Sequence, residues 1–160
     1  MNRVGNTLIH VSANEVLIRT FVTRNVEFVV IGGLAVAWYC ADRQADDMDL
    51  LVDNTLENSE RISQSLVSLN LSGFASNSFV KLGLQVPLKQ FYYAELLTPR
   101  KDGSTYAEVA NDAVEASVFN IPVRLASVAS LIRLKELAVA SEKVQIDKHL
   151  KDIECLKKYT

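Results

Sequence analysis

Residues 26 to 52 constrain the fold most, because the hydrophobic pattern changes several times within this short segment. The segment begins with VEFVVIGG, residues 26–33, in which β-branched and aromatic residues followed by two glycines predict a buried strand ending in a tight turn. LAVAWYCAD, residues 34–42, predicts a short apolar helix, and RQADDMDLLV, residues 43–52, predicts a second strand. The segment therefore predicts two strands that are connected through a helix.

The rest of the chain predicts a mixture of helices and strands. Ser12 and Glu15 form a capping-box signature at the start of a first helix. Further predicted elements are a helix over 56–69, two strands within 79–97, a hairpin or edge ribbon over 113–125, a helix from Ser127 to Ala140 and a last helix opened by Asp147. Because helices and strands do not alternate strictly, the α+β class is favoured over a doubly wound sheet. No repeat or linker divides the chain, so residues 1–160 are predicted to form a single domain.

Composition and charge suit one compact domain and exclude few functions. The chain has 160 residues, of which 49% are hydrophobic and 22% charged, and its formal net charge is -2. This balance argues against coating of a nucleic acid by the whole surface. No apolar run approaches the roughly 18 residues that span a bilayer, so a soluble, cytoplasmic protein without a membrane partner is expected.

Cysteine and histidine are predicted to have no role in a functional site. Cys40 and Cys155 are far apart in the sequence and lie in apolar surroundings, which favours reduced, buried thiols over a disulfide. His149 has no partner at metal-ligand spacing, so a position at the surface or at a helix end is expected.

The second strand carries a pair of acidic residues. Residues two apart in a strand share a face, so Asp47 and Asp49 are predicted to project side by side, about 6 to 7 Å apart. Two carboxylates on an apolar strand are costly to desolvate, and a divalent cation offsets that cost for both. The pattern indicates a site for Mg²⁺, although Asp46, Asp47 and Asp49 also suit a solvated strand end that binds nothing.

The glycine pair before the helix suggests a second part of the same site. Gly32 and Gly33 lie where a strand turns into a helix, and backbone N–H groups at such a place can approach phosphate oxygens closely. A plain tight turn explains the glycines equally well. The glycines and the acids together predict a phosphate site beside a metal site.

The segment VVIGGLAVAWYCADRQADDMDLLV resembles the nucleotidyltransferase superfamily of the DNA polymerase β type, especially its minimal bacterial members and the AbiEii-like toxin group. The family pattern is a strand, a Gly-Gly or Gly-Ser turn, a helix, an arginine and then a D-x-D strand. Arg43 matches the arginine, and Asp47 and Asp49 match the metal-binding carboxylates. Two positions depart from the pattern: Ala45 replaces a common threonine, and Leu34 follows the glycines where a serine often helps to hold the triphosphate.

The resemblance implies a third carboxylate and a lysine at the same site. Glu95 in FYYAELL is the candidate carboxylate because it interrupts an apolar strand, although a glutamate facing water from an edge strand is the alternative. Lys135 in LIRLKELA resembles the lysine of the LIxxK helix that approaches the nucleotide, and it lies on an apolar stripe from which it can also extend to water. Asp147, Lys148 and Asp152 resemble a C-terminal segment with a structural or acceptor-facing role.

The resemblance implies a nucleotidyltransferase with a mixed β-sheet flanked by helices. An NTP would lie against Gly32 and Gly33, and a two-metal Mg²⁺ site on Asp47, Asp49 and Glu95 would promote transfer of an NMP to an acceptor hydroxyl. A tRNA, a protein or a small molecule is expected as the acceptor, and an antitoxin as a protein partner. The alternatives are a degenerate, non-catalytic relative that binds a nucleotide or a protein, and a structural domain with acids on its surface.

Overall fold

A computed structural model describes residues 11–45, 47–88, 92–141 and 144–160. Asp46, one of the three acids at the start of the second predicted strand, lies outside these residues. The helices are α1 (Val11–Thr23), α2 (Gly32–Tyr39), α3 (Leu56–Ser68), α4 (Tyr106–Asn111), α5 (Val128–Ser141) and α6 (Ile146–Lys157). The strands are β1 (Phe28–Ile31), β2 (Met48–Val52), β3 (Gln85–Pro87), β4 (Ala94–Leu97), β5 (Val114–Val118) and β6 (Ile121–Leu125).

The strands form one mixed six-stranded sheet in the order β3-β4-β2-β1-β6-β5. β1 pairs antiparallel with β2 and parallel with β6, and β2 pairs parallel with β4. Antiparallel strands lie at the two edges, β3 with three residues and β5 with five. The predicted α+β class with C-terminal helices is confirmed.

Alternation along the central strands separates the core face from the site face. Met48 and Leu50 of β2 are fully buried, and Leu96 of β4 lies beside Leu50 on the same face. Asp49 and Glu95 occupy the alternate positions and face the other side. A period of two therefore lets one strand supply both core residues and site residues.

Several predicted elements form where the sequence indicated them. α3 corresponds to the helix predicted over 56–69, and β5 and β6 form the predicted hairpin. Phe119 and Asn120 connect its strands with positive φ angles of 55° and 63°, which is the backbone of a two-residue type I′ turn. The Ser127 hydroxyl accepts a hydrogen bond from the Ser130 N–H at 3.0 Å and so caps α5 as expected.

Three details of the local predictions are wrong. α1 already includes Val11, so Ser12 lies within the helix instead of capping it. α2 begins at Gly32, so the glycine pair forms its first turn and not a separate turn before it. The helix α4 was not predicted, although Thr105 and Glu108 form a complete capping box at its start.

The prediction of reduced cysteines is also wrong. Cys40, at the end of α2, and Cys155, on α6, are joined by a disulfide with their Cα atoms 6.4 Å apart. Their separation of 115 residues gave no sign that the two helices pack together. The bond removes the cysteine argument for a cytoplasmic location, which stays a prediction. In the described part of the chain, no helix has the length and apolar character needed to cross a membrane.

Candidate active site

A cavity of about 900 Å³ lies on the site face of the sheet, bordered by β2, β4 and the helices α5 and α6. Most of the residues predicted for the site line it: Gly33, Arg43, Asp47, Asp49, Glu95 and Lys135. The remaining one, Gly32, lies directly against the carboxylate of Asp49. Residues separated by about a hundred positions in the sequence are thus brought together at one place.

The strand register places the acidic residues together. Asp49 on β2 is the direct neighbour of Glu95 on the parallel strand β4, so the two side chains project from the same face. Asp47 lies one residue before β2 begins and also lines the cavity. Because β3 covers the far side of β4, Glu95 is not on an edge strand, and Gln85 donates a hydrogen bond to its carboxylate at 3.0 Å.

The negative charges of these carboxylates repel one another. Burial and the nearby negative charge of Glu95 are the main causes that raise the pKa of Asp49 to about 7. Asp47 raises it further, whereas the positive charges of Lys135 and Lys148 lower it. Asp49 is therefore an acid whose ionised form is disfavoured by the surrounding protein.

Glycine is required at Gly32, and at Gly33 it avoids a close contact with a flexible side chain. Gly32 has a φ of +71°, and a Cβ there would lie 2.2 Å from the carboxylate oxygen Oδ2 of Asp49. A Cβ on Gly33 would lie 2.8 Å from the guanidinium nitrogen Nη2 of Arg43. The first turn of α2 is thus packed closely between an acid and a base of the site.

Arg43 is held in place by a buried acid. Its Nε donates to Oδ1 of Asp152 at 2.8 Å, and its Nη2 donates to Oδ2 at 3.4 Å. Its Nη1 donates to the carbonyl oxygen of Gln44. The guanidinium group consequently has a defined position between Gly33 and α6.

Lys135 reaches the site and does not extend to the surface. It is only 8% exposed, and its Nζ lies 3.1 Å from Oδ2 of Asp152 and 3.3 Å from Nδ1 of His149. Its positive charge also acts on Asp49, because it lowers the pKa of that carboxyl group. Of the two alternatives for this lysine, extension to solvent is therefore wrong.

Sequence reasoning missed two contributors to the cavity. His149 lies in the first turn of α6, at a helix end as expected, but it also lines the cavity and contacts Lys135, which the sequence did not indicate. Gln85, which binds Glu95, was not considered. The sequence carried no signal for Gln85, and for His149 the only signal was its position one helical turn before Asp152.

The acids suit a hard divalent cation by their chemistry. Carboxylate oxygens are the preferred ligands of Mg²⁺, and a bound cation would relieve the repulsion between Asp49 and Glu95. Within the described residues, however, no group of three or more His, Cys, Asp or Glu side chains is already arranged to hold a metal. The carboxylate oxygens are thus suitable ligands for Mg²⁺, and their arrangement around one ion stays a prediction.

Comparisons with known proteins identify the fold. No family model matches the chain, and no curated protein matches it in sequence. The structure of an antigenic nucleotidyltransferase-like protein from Paracoccidioides brasiliensis aligns with a TM-score of 0.61 at 14% identity, over 92% of this chain and 76% of the other.

The antibiotic-resistance factor ANT(2″)-Ia is similar as well. Its complex with adenylyl-2″-tobramycin aligns with a TM-score of 0.58 at 17% identity, over 91% of this chain and 86% of the other. Its solution structure aligns with a TM-score of 0.59 at 17% identity, over 92% and 82% of the two chains. At such low identities the likeness concerns the fold, and this chain has the fold of the nucleotidyltransferases.

Proposed function

We propose that the protein is a Mg²⁺-dependent nucleotidyltransferase that moves an NMP from an NTP to the hydroxyl of an acceptor. The observation that carries this proposal is the pairing of Asp49 with Glu95 on adjacent strands, with Asp47 beside them and with Arg43 and Lys135 lining the same cavity. Acids that suit a metal and bases that suit phosphate are the two requirements of phosphoryl transfer.

Each group has a role that follows from its charge. Asp47, Asp49 and Glu95 would hold Mg²⁺, which when bound neutralises phosphate charge and lowers the pKa of an attacking hydroxyl. Arg43 and Lys135 would bind the triphosphate and keep it in line with the acceptor. Because Leu34 follows the glycines, the backbone at Gly33 would contact phosphate without help from a serine hydroxyl.

The transfer itself exchanges the phosphoanhydride bond of the NTP for a phosphoester bond to the acceptor. The acceptor oxygen attacks the α-phosphorus and forms an O–P bond, while the bond from the α-phosphorus to the bridging oxygen breaks and pyrophosphate leaves. The proton of the hydroxyl passes to a base, for which Glu95 is positioned on the same wall as Asp49.

The relatives support the reaction class and leave the acceptor open. ANT(2″)-Ia was solved with adenylyl-2″-tobramycin, an aminoglycoside that carries a nucleotidyl group. An RNA 3′ end, a protein hydroxyl or such a small molecule stays a candidate acceptor for this chain. A role as the AbiEii-like toxin of a toxin–antitoxin pair is part of the same proposal.

Radioactive transfer tests the proposal directly. The protein is incubated with each α-³²P-labelled NTP, Mg²⁺ and, separately, total cellular RNA, total cellular protein or tobramycin. Asp47→Asn with Asp49→Asn removes the acids, and Glu60→Gln with Glu154→Gln removes the same charge from exposed sites on α3 and α6. Transfer of label by the wild type and the control pair, but not by the acid variant, is the expected result.

The other outcomes separate the alternative functions. Mg²⁺-dependent binding of an NTP without transfer to any acceptor would favour the non-catalytic relative. Absence of both binding and transfer would favour a structural domain in which the acids have no ligand.

A further inference from the structure

Asp152 differs from the other charged residues near the site because it does not line the cavity. It lies on α6 and is only 3% exposed, whereas its partners Arg43 and Lys135 both border the cavity. Asp152 is therefore shielded from a ligand in the cavity and touches the groups that would meet one.

A single carboxylate holds both cations. Oδ1 of Asp152 accepts from Nε of Arg43 at 2.8 Å, and Oδ2 lies 3.1 Å from Nζ of Lys135. The three residues come from the segment after α2, from α5 and from α6. Without this shared partner, two flexible side chains from separate segments would have no common anchor, and each would lose rotamer freedom on binding an anion.

Stability alone is a poor explanation for this arrangement. Burying ion pairs costs desolvation energy, and well-packed apolar side chains of similar volume usually stabilise a fold at least as well. Burial acts to raise the pKa of Asp152, but the hydrogen bonds and charges of Arg43 and Lys135 outweigh it, so the pKa lies below its ordinary value. The carboxylate thus stays ionised beside both cations.

We infer that Asp152 is a positioning residue, which fixes Arg43 and Lys135 in the orientation that binds the triphosphate of the NTP. The inference rests on the proposed function, because it assumes that an NTP enters the cavity. Asp152 acts through the two cations and makes no contact with the nucleotide.

Binding measurements on four proteins test the inference. The wild type, Asp152→Asn, Asp152→Glu and the control Glu154→Gln are titrated with ATP, GTP, CTP and UTP in Mg²⁺, and with the corresponding monophosphates. Glu154 is an exposed acid on the same helix, so its replacement removes an equal charge without touching the cations. Thermal unfolding of each protein is recorded alongside.

We expect Asp152→Asn to weaken NTP binding on the order of tenfold, as is typical for residues that orient a ligand-binding group. Monophosphate binding should change less, because fewer phosphate oxygens are available to the two cations. A purely structural role would weaken both ligands equally. Asp152→Glu keeps the charge but displaces the carboxylate, so it should also weaken NTP binding, and it provides the test if Asp152→Asn does not fold.

A double-mutant cycle identifies the route of the effect. If Asp152 acts through Arg43, the loss caused by Asp152→Asn should be smaller in an Arg43→Gln background, whereas independent effects would add. Unchanged or tighter NTP binding by a folded Asp152→Asn protein would overturn the inference, since removal of a negative charge alone favours an anionic ligand. Failure of the wild type to bind any NTP would instead overturn the proposed function, and this inference with it.

Discussion

At the scale of single residues, the protein surroundings disfavour the ionised form of Asp49. Asp49 is placed beside Glu95 in a largely buried position, and its pKa of about 7 records the cost of ionising it there. Acids arranged to hold a cation typically repel one another when the cation is absent. The proposed function therefore favours an ionised acid at this position, whereas the stability of the fold favours a neutral side chain.

The raised pKa of Asp49 predicts that Asp49→Asn increases the stability of the fold in a pH-dependent way. An acid whose pKa is raised on folding lowers stability as pH rises from its unfolded value, about 4, towards 7, because the folded state binds the proton more tightly. Asparagine removes this effect, so the variant should be more stable than the wild type by roughly 4 kcal/mol at pH 8, and the two should be nearly equal at pH 4. Urea denaturation without Mg²⁺ at both pH values measures it, and Glu154→Gln is the control. Equal stability of the Asp49→Asn variant and the wild type at pH 8 would contradict a raised pKa for Asp49.

The glycine pair allows a comparison within one turn. Gly32→Ala should destabilise the fold by about 2–4 kcal/mol, because its φ is positive and its new Cβ would displace the Asp49 carboxylate. Gly33→Ala should cost less, because the Arg43 side chain can move aside. Gly73→Ala, at a φ of +102° with open space around it, shows the cost of backbone strain alone. Thermal unfolding should show the largest loss of stability for Gly32→Ala among the three variants. A larger loss for Gly33→Ala or Gly73→Ala would contradict the packing of Gly32 against Asp49.

At the scale of elements, side chains at helix starts join the parts of the fold. Asn58, in the first turn of α3, is 2% exposed and bonds to both chain segments at one end of the β1–β2 pair. Its Oδ1 accepts from the Glu27 N–H at 2.7 Å, and its Nδ2 donates to the carbonyls of Glu27 and Asp53 at 3.0 and 2.8 Å. One amide thus satisfies three backbone groups where the strands end.

Replacing this amide should cost more than an ordinary helix substitution. Asn58→Ala would remove the side-chain partner of the Glu27 N–H and of the Asp53 carbonyl, whereas the Glu27 carbonyl would still accept from the Asp53 N–H at 3.2 Å. A loss of about 2–4 kcal/mol in the free energy of unfolding is expected. Gln64→Ala removes an exposed amide from the same helix and should change stability by less than about 0.5 kcal/mol. Denaturant unfolding of both variants provides the comparison. A similar effect of the two would mean that the hydrogen bonds of Asn58 contribute little.

Local sequence signals predicted the elements with uneven success. Ser127 was correctly identified as the cap of α5, whereas the same reasoning overlooked Thr105 and Glu108 before α4. α4 has only six residues, too few for a hydrophobic period to be recognisable. Capping chemistry was therefore the only signal for this helix.

At the scale of the whole molecule, α6 and the segment that follows α2 are connected twice. The Cys40–Cys155 disulfide joins them, and the Arg43–Asp152 ion pair lies three residues along each segment from the bridge. A covalent bond that closes 115 residues of chain restricts the unfolded state strongly. It also holds α6, and with it Asp152, close to the start of the acidic strand.

Removal of the disulfide should therefore destabilise the protein. Cys40→Ala with Cys155→Ala is expected to lose about 2–5 kcal/mol relative to the oxidised wild type. Treatment of the wild type with a thiol reductant should produce a similar loss, and it should leave the double variant unaffected. Denaturant unfolding with and without reductant measures both effects. Detection of two free thiols by alkylation of the denatured, unreduced wild type would contradict the bridge.

By itself, the sequence determined the features that depend on neighbours along the chain. The order of strand, glycine pair, helix and acidic strand follows from local periodicity and backbone chemistry, and these rules also placed Asp47 and Asp49 on one face. Only the tertiary structure decided which distant residues join them. The register that sets Glu95 beside Asp49, the carboxylate of Asp152 between Arg43 and Lys135, and the pairing of the cysteines all depend on packing between segments that no local pattern encodes.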